Sequence, residues 1–306
     1  MKKILTIKHG SLGDIIMSLP AFASIRFHYK NSKIFLLTER KHVDFFTRCP
    51  FVDFVIEDNR KDNLFSTFKR LTKLVDENFN LIIDLQNSKR TTLYNIFFRF
   101  SHSVKISSSR SFAHYRYLIP QQGTESVVSG LFNQLKLIGI QRKEYQNFDW
   151  LKIDLKEKFD RPLALFIPGV SKSGSYKQWQ TNKFADIAKH YEKLNYIICV
   201  VGTKEDKKSV SPIINLCKNV LNKIDQSPPE VIYSLALQAK IIFSNDTGPG
   251  HVASLAKKNF IWLVNDNKLS KANQPIGNHI YKIQAPSVKD ISTKDVINFL
   301  EKNNLF

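Results

Sequence analysis

Apolar runs of four to eight residues alternate along the chain with amphipathic segments, and this rhythm restricts the fold more than any other feature. KILTIK (Lys3–Lys8) precedes a helical pattern from Asp14 to about Tyr29, and KIFLLT (Lys33–Thr38) precedes another near Lys41–Thr47. FVIE (Phe54–Glu57) and LIIDL (Leu81–Leu85) continue this series. A second series starts at LALFIPG (Leu163–Gly169), with a helix around Asn182–Leu194, the strand YIICVVG (Tyr196–Gly202) and a helix from about Glu205. It continues with IIFSND (Ile241–Asp246), a helix from about Gly250, and NFIWLV (Asn259–Val264). Strands separated by helices form parallel sheets covered on both faces. The polar segment Arg142–Pro162, closed by a proline before the new first strand, reads as the linker between two such domains. The fold class is therefore α/β with two doubly wound, Rossmann-like domains. The last dozen residues carry a helical period, with Ser292 or Thr293 as N-cap. Ligands of open α/β sheets bind outside the carboxyl ends of the strands, so a cleft between facing domains is the expected site.

Several classes are disfavoured. No run approaches the 18 or so apolar residues of a membrane span, and Lys8 and His9 interrupt the N-terminal apolar stretch too early for a signal-peptide core. Three cysteines in no metal-finger spacing argue against a disulfide framework, and a cytoplasmic location is expected. The charge is unusual: 46 basic against 27 acidic residues gives +19, divided as 23 and 13 over residues 1–150 and 23 and 14 over the rest. One block is distinctive. From Leu85 to Gly123 the chain has Lys89, Arg90, Arg99, Lys105, Arg110 and Arg116 but neither Asp nor Glu. Such a field attracts phosphates on nucleic acid, on an anionic membrane or on an acidic substrate.

Four turns after strands carry chemistry. In KHGSLGDIIMSLP (Lys8–Pro20), Gly10 and Gly13 permit close backbone approach, Ser11 can cap the next helix, and Asp14 stands in its first turn. An acid there favours the helix dipole, but it would repel a pyrophosphate, so the turn suits a proton acceptor rather than a phosphate cradle. In NDTGPGHVASLA (Asn245–Ala256), the Thr247-Gly248-Pro249-Gly250 turn opens a helix, a ready anion site to which His251 can contribute. FIPGVSKSGSYKQW (Phe166–Trp179) is a Ser- and Gly-rich loop containing Ser171, Lys172 and Lys177, suited to closing over a phosphate. In VVGTKEDKK (Val200–Lys208), Glu205 follows a strand-ending glycine, where an acid can accept hydrogen bonds from a ribose.

These segments together resemble the glycosyltransferase family that contains the ADP-heptose:lipopolysaccharide heptosyltransferases (glycosyltransferase family 9). KHGSLGDIIMSLPAF resembles its K-x-x-S-L-G-D-hydrophobic signature and LIIDLQNSKRT its D-x-Q-G-x-x-[KR] segment. PGVSKSGSYKQW resembles its P-G-[AS]…K-x-W loop and NDTGPGHVASLA its D-T-G-P-x-H-x-A-x-A signature. Two positions depart: Asn87 stands where glycine is usual, and Gly250 where a larger apolar residue is common.

The resemblance implies the GT-B architecture. Residues 1–155 would be an acceptor-binding domain, 156–285 a nucleotide-sugar domain, and 286–306 a helix packing back towards the first domain. It implies Asp14 as general base, with Lys177, Thr247, Gly248 and His251 around the donor diphosphate, Glu205 near the ribose, and Ser171, Asp246 and Pro249 also binding the nucleotide sugar. Lys8, Ser11, Gly13, Arg60, Lys61, Gln86, Lys89 and Arg90 would serve an anionic glycolipid acceptor. The implied activity is inverting, transferring heptose from ADP-heptose to a Kdo-lipid A inner core, peripherally at the inner face of the cytoplasmic membrane. No cofactor is expected beyond the donor. With no Asp-x-Asp motif, no metal clamp on the diphosphate is indicated. Two other readings compete: the same fold with another donor or acceptor, and a basic nucleic-acid-binding protein, for which the sequence offers no RNA-binding signature.

Overall fold

The computed structural model describes residues 1–59, 61–101, 104–121 and 123–306. The chain divides into two compact units, Met1–Trp150 and Leu151–Phe306, a division that falls inside the segment read as a linker.

The first unit holds strands β1 (Lys3–Ile7), β2 (Lys33–Thr38), β3 (Phe54–Glu57), β4 (Leu81–Asp84), β5 (Lys105–Ser108) and β6 (Tyr115–Arg116). Its helices are α1 (Leu12–His28), α2 (Val43–Thr47), α3 (Leu64–Asp76), α4 (Lys89–Ser101) and α5 (Val127–Lys136). The strands form one parallel sheet in the order β3-β2-β1-β4-β5-β6. Successive side chains of a strand point to opposite faces. Leu5, Ile7, Phe35, Leu37, Ile82 and Ile106 accordingly meet Leu71 and Leu74 of α3 and Tyr94 and Phe98 of α4. Ile4, Ile34, Leu36 and Ile83 on the alternate positions are equally buried, and α1 packs with α5. The central strands are thus apolar throughout because both faces are covered.

The second unit repeats the plan. Its strands are β7 (Leu163–Ile167), β8 (Ile197–Gly202), β9 (Val220–Ile224), β10 (Ala239–Asn245), β11 (Asn259–Asn265) and β12 (Ile280–Ala285). Its helices are α6 (Thr181–Lys193), α7 (Lys207–Leu216), α8 (Pro229–Gln238), α9 (Gly248–Ser254), α10 (Lys268–Ala272) and α11 (Thr293–Lys302). The sheet is again parallel, in the order β12-β11-β10-β7-β8-β9. In both sheets the strand order reverses beside the first strand, between β1 and β4 and between β7 and β10. Those two points define where a ligand crevice opens in each unit.

The final helix is anchored within its own unit. Ser292 caps α11, donating its hydroxyl to Asp295 in a capping box. The apolar face of α11 is buried in the second unit itself, where Val296 and Leu300 join Phe184, Ile187 and Tyr191 in one core. Trp179 Nε1 and Lys183 Nζ donate to the carbonyl of Ile291 (2.9 and 2.7 Å), and Tyr191 Oη donates to that of Leu305 (2.8 Å). A ten-residue amphipathic helix has one apolar stripe, and here its own unit takes it.

Candidate active site

In the first unit, the turns after β1 and β4 flank the reversal point. Ser11 caps α1, and its backbone N–H and hydroxyl both donate to Asp14 Oδ2, at 2.8 and 2.7 Å. Asp14 is therefore the acid of a capping box, the local role open to any first-turn acid. Yet among the described residues no hydrogen bond reaches Oδ1, and the side chain is only half-buried. One oxygen fixes the carboxylate, and the other has no hydrogen-bond partner among the described residues. Gly10 is required twice over: its φ is +112°, and a Cβ there would stand 2.7 Å from Asp14 Oδ2. The Gly10 N–H donates to Glu39 (2.9 Å), and its carbonyl accepts from His42 Nε2 (2.9 Å), a ring that burial keeps below its ordinary pKa and hence neutral. The sequence reading did not single out Glu39 and His42; they lie a strand away, and only the β1–β2 pairing brings them to the turn.

Several residues expected to meet the acceptor have partners within the unit. Lys8 is buried, its Nζ 3.4 Å from the carbonyl of Leu85. Burial lowers its pKa, and the charges of Asp14 and Asp84 act against that. Gln86 uses its carboxamide oxygen on the His9 N–H (2.9 Å). Asn87 has φ +54°, a conformation that glycine or asparagine adopts readily, which accounts for its standing in for glycine. Its side chain also accepts from the Ser109 N–H (2.7 Å) and donates to Gln134 (2.8 Å), as glycine cannot. Ser11, Lys61 and Lys89 are exposed, Gly13 is buried, and Arg60 lies outside the described residues.

Arg90 belongs to a buried network around Asp58. The Asp58 carboxylate accepts from Tyr94 Oη (2.6 Å) and Arg70 Nη1 (2.6 Å), and Arg90 Nη2 is 3.2 Å away. His9 Nε2 lies 3.1 Å from Oδ2, off the line of a good hydrogen bond. Burial alone would raise the Asp58 pKa, but His9, Tyr94 and Arg90 together hold it well below the usual carboxylate range. A depressed folded pKa stabilises the fold fully above the unfolded value of about 4, and that stability is lost as pH falls further. Asp58→Asn is expected to cost about 2 kcal/mol at neutral pH, with the gap closing in acid. Urea unfolding across pH checks this. A gap that stays constant down to about pH 2 would assign the cost to packing rather than to charge.

In the second unit, the turns after β7 and β10 meet. Trp179 is fully buried, and Asn245 accepts its N–H (3.0 Å) while donating to the carbonyl of Pro168 (2.8 Å). These bonds anchor the loop so that Lys177, two residues before Trp179, places Nζ 2.7 Å from Asp246 Oδ2. His251 Nε2 lies 3.7 Å from Asp246 Oδ1. Burial raises the Asp246 pKa, but His251 and Lys177 reverse the direction and keep it below the ordinary value. Asp246 is thus a buried carboxylate that orients two cationic or donor groups, rather than a group offered to an anionic ligand. His251 Nδ1 is buried with no partner among the described residues.

Thr247, Gly248 and Pro249 are half-buried around the start of α9. A Cβ on Gly250 would stand 2.4 Å from Ser244 Oγ, so the glycine at this departing position is dictated by the serine beneath it. Ser171 is exposed beside Ser173, and Glu205 lies 3.9 Å from Lys172 on the neighbouring loop, both well exposed.

Residues 68–263, well over half of the chain, match the family model for glycosyltransferase family 9 (heptosyltransferase). The chain belongs to glycosyltransferase family 9. The matched span includes the Lys177–Asp246–His251 cluster and begins after Asp14. This family 9 enzyme is 23% identical over 276 residues to the lipooligosaccharide heptosyltransferase 2 of Campylobacter jejuni (serotype O:6), covering 86% of this chain and 81% of that one. Its fold is similar to that of the Escherichia coli ADP-heptose LPS heptosyltransferase II (TM-score 0.78, 19% identity, 100% of this chain and 98% of that one). It is likewise similar to a family 9 glycosyltransferase from Veillonella parvula (TM-score 0.83, 16% identity, 98% and 96% covered). As in the enzymes of that family, the expected GT-B type of fold is present, each unit a doubly wound parallel sheet. Among the described residues, no helix is long and apolar enough to cross a membrane.

Proposed function

We propose that this family 9 enzyme transfers a heptose from ADP-heptose to the anionic Kdo-lipid A core of a lipopolysaccharide or lipooligosaccharide, with inversion. The observation that carries the reading is the divided use of Asp14, with Oδ2 locked by Ser11 and Oδ1 without a partner among the described residues. A base must be oriented and still have an oxygen for the incoming proton. Asp14 takes the proton of the acceptor hydroxyl as that oxygen attacks the anomeric carbon. The bond to the diphosphate oxygen breaks, and the leaving charge is received by Lys177, His251 and the Gly248–Gly250 turn. With one base and one displacement, the configuration inverts. Glu205 is assigned to the ribose, and Asp246 to holding Lys177 and His251.

The donor assignment is supported by the Escherichia coli heptosyltransferases of similar fold, which are described with ADP and with an ADP-heptose analogue. The acceptor assignment draws on the lipooligosaccharide enzymes of Campylobacter jejuni and on Lys61 and Lys89, which are exposed cations of the first unit. Such an acceptor places the enzyme peripherally on the inner face of the cytoplasmic membrane. A mass-spectrometric donor screen on Kdo-bearing lipid A tests the reading. A product gaining one heptose from ADP-heptose is expected. Transfer from a uridine-linked sugar instead would replace the donor, and no transfer from any nucleotide sugar, with salt-sensitive RNA binding, would overturn the assignment.

A further inference from the structure

Helix α4 is apolar on two sides. Thr91, Tyr94, Asn95 and Phe98 face the core, yet Leu93, Phe97 and Phe100, at spacings of four and three, form a second stripe on the other side. Leu93 and Phe100 are exposed and Phe97 is half-buried. A helix that is apolar all round is ordinarily enclosed. Here the neighbouring helix enlarges the exposed surface instead: α3 packs against α4 with Phe68 stacked edge-on against Phe97 (centroids 5.1 Å). Phe65 and Phe100 are each 76% exposed and Phe68 58%. Phe112, beyond β5, continues the patch at 6.3 Å from Phe100. Single exposed apolar residues are common, whereas a contiguous aromatic cluster marks a surface for another phase or molecule.

The charge around this patch selects the partner. Lys69 and Lys73 share the outer side of α3, and Arg99 and Lys105 are exposed at the end of α4 and the start of β5. No acid occurs between Leu85 and Gly123, and on α3 Asp62 at the entry is ion-paired with Arg70, leaving exposed Asp76 in the last turn against Lys69 and Lys73. Exposed phenylalanines rimmed by lysine and arginine match a bilayer interface with anionic headgroups, where the rings enter the acyl boundary and the cations stay at the phosphates. We propose that the outer face of α3 and α4 inserts Phe65, Phe68 and Phe100 into an anionic lipid surface, docking the first unit by partial insertion rather than by charge alone. This inference extends the glycolipid-acceptor reading, but it rests on the exposed face and needs no part of the catalytic assignment.

Flotation of the full chain with vesicles of phosphatidylethanolamine and phosphatidylglycerol, free of glycolipid and donor, tests it. Binding is expected to these vesicles and not to neutral phosphatidylcholine. Each Phe→Ser change at Phe65, Phe68 or Phe100 should weaken partitioning by about tenfold, with an unchanged thermal midpoint. Lys69→Glu and Lys73→Glu should each weaken it by at least about fivefold and reduce its salt dependence. Phe68→Trp should shift its emission to the blue on anionic vesicles only. Three results would overturn the proposal: a wild-type chain that does not float, a triple serine variant that binds as tightly as wild type, or vesicle-free dimerisation lost in that variant. The last would assign the face to a second copy of the chain. Because donor and acceptor are absent, vesicle binding can fail while sugar transfer stands, and the reverse.

Discussion

Asp14→Asn is expected to lower kcat by about 10³-fold while leaving the fold within about 1 kcal/mol of wild type. The two effects would separate because the proposed catalytic task falls on a different oxygen from the cap. The cap uses Oδ2, which accepts from the Ser11 N–H and hydroxyl at 2.8 and 2.7 Å, and an asparagine oxygen in the same place keeps both bonds. Catalysis needs a group that gains a proton, which a carboxamide does not do at neutral pH. A factor of 10³ corresponds to about 4 kcal/mol, well above the 1 kcal/mol typical of a helix cap. Single-turnover transfer rates alongside thermal unfolding check the separation. If activity falls only in step with stability, Asp14 is a cap and nothing more.

Lys177→Ala is expected to lower kcat/KM for the donor by about 10²- to 10³-fold and to leave the acceptor KM nearly unchanged. The ammonium is held 2.7 Å from a carboxylate that is itself almost fully buried, so its position is set before any ligand arrives. Under the proposed reading, that preorganisation would give a single cation a large effect on a developing diphosphate charge. Lys177→Arg recovers part of the loss, since it restores charge but not the point geometry of an ammonium. Isothermal titration with ADP together with donor-dependent kinetics provides the measurement. A variant that binds ADP and turns over normally would reassign Lys177 to the Asp246 ion pair alone.

The fold was legible where strands are central and buried. β7 (LALFI) is a continuous apolar run, and β1 (KILTI) and β10 (AKIIFSN) have buried apolar centres, because helices cover both their faces, and the turns after them announce themselves by glycine and acid. Among the peripheral strands, β3 was read at its observed bounds, whereas β5, β6, β9 and β12 were not. β9, VLNKI, carries Asn222 and Lys223 because it is the edge of its sheet and half meets solvent, so its apolar run breaks up. The α4 helix was hidden for the opposite reason: an apolar outer stripe blurs the amphipathic period by which a surface helix is recognised.

For the candidate site, local order along the chain was enough to nominate Asp14, Lys177, Asp246, Thr247 and His251, since each stands within a few residues of a strand end. Local order could not divide them into groups open to a ligand and groups working for the protein. That division depends on partners distant in sequence: Glu39 and His42 at Gly10, Asp58 at Arg90, the Leu85 carbonyl at Lys8, and Asn245 at Trp179. A parallel sheet gathers the ends of strands separated by dozens of residues onto one edge, and burial there decides which charges are neutralised internally. Residue type and spacing are written in the chain, whereas desolvation and pairing exist only after the strands have been laid side by side.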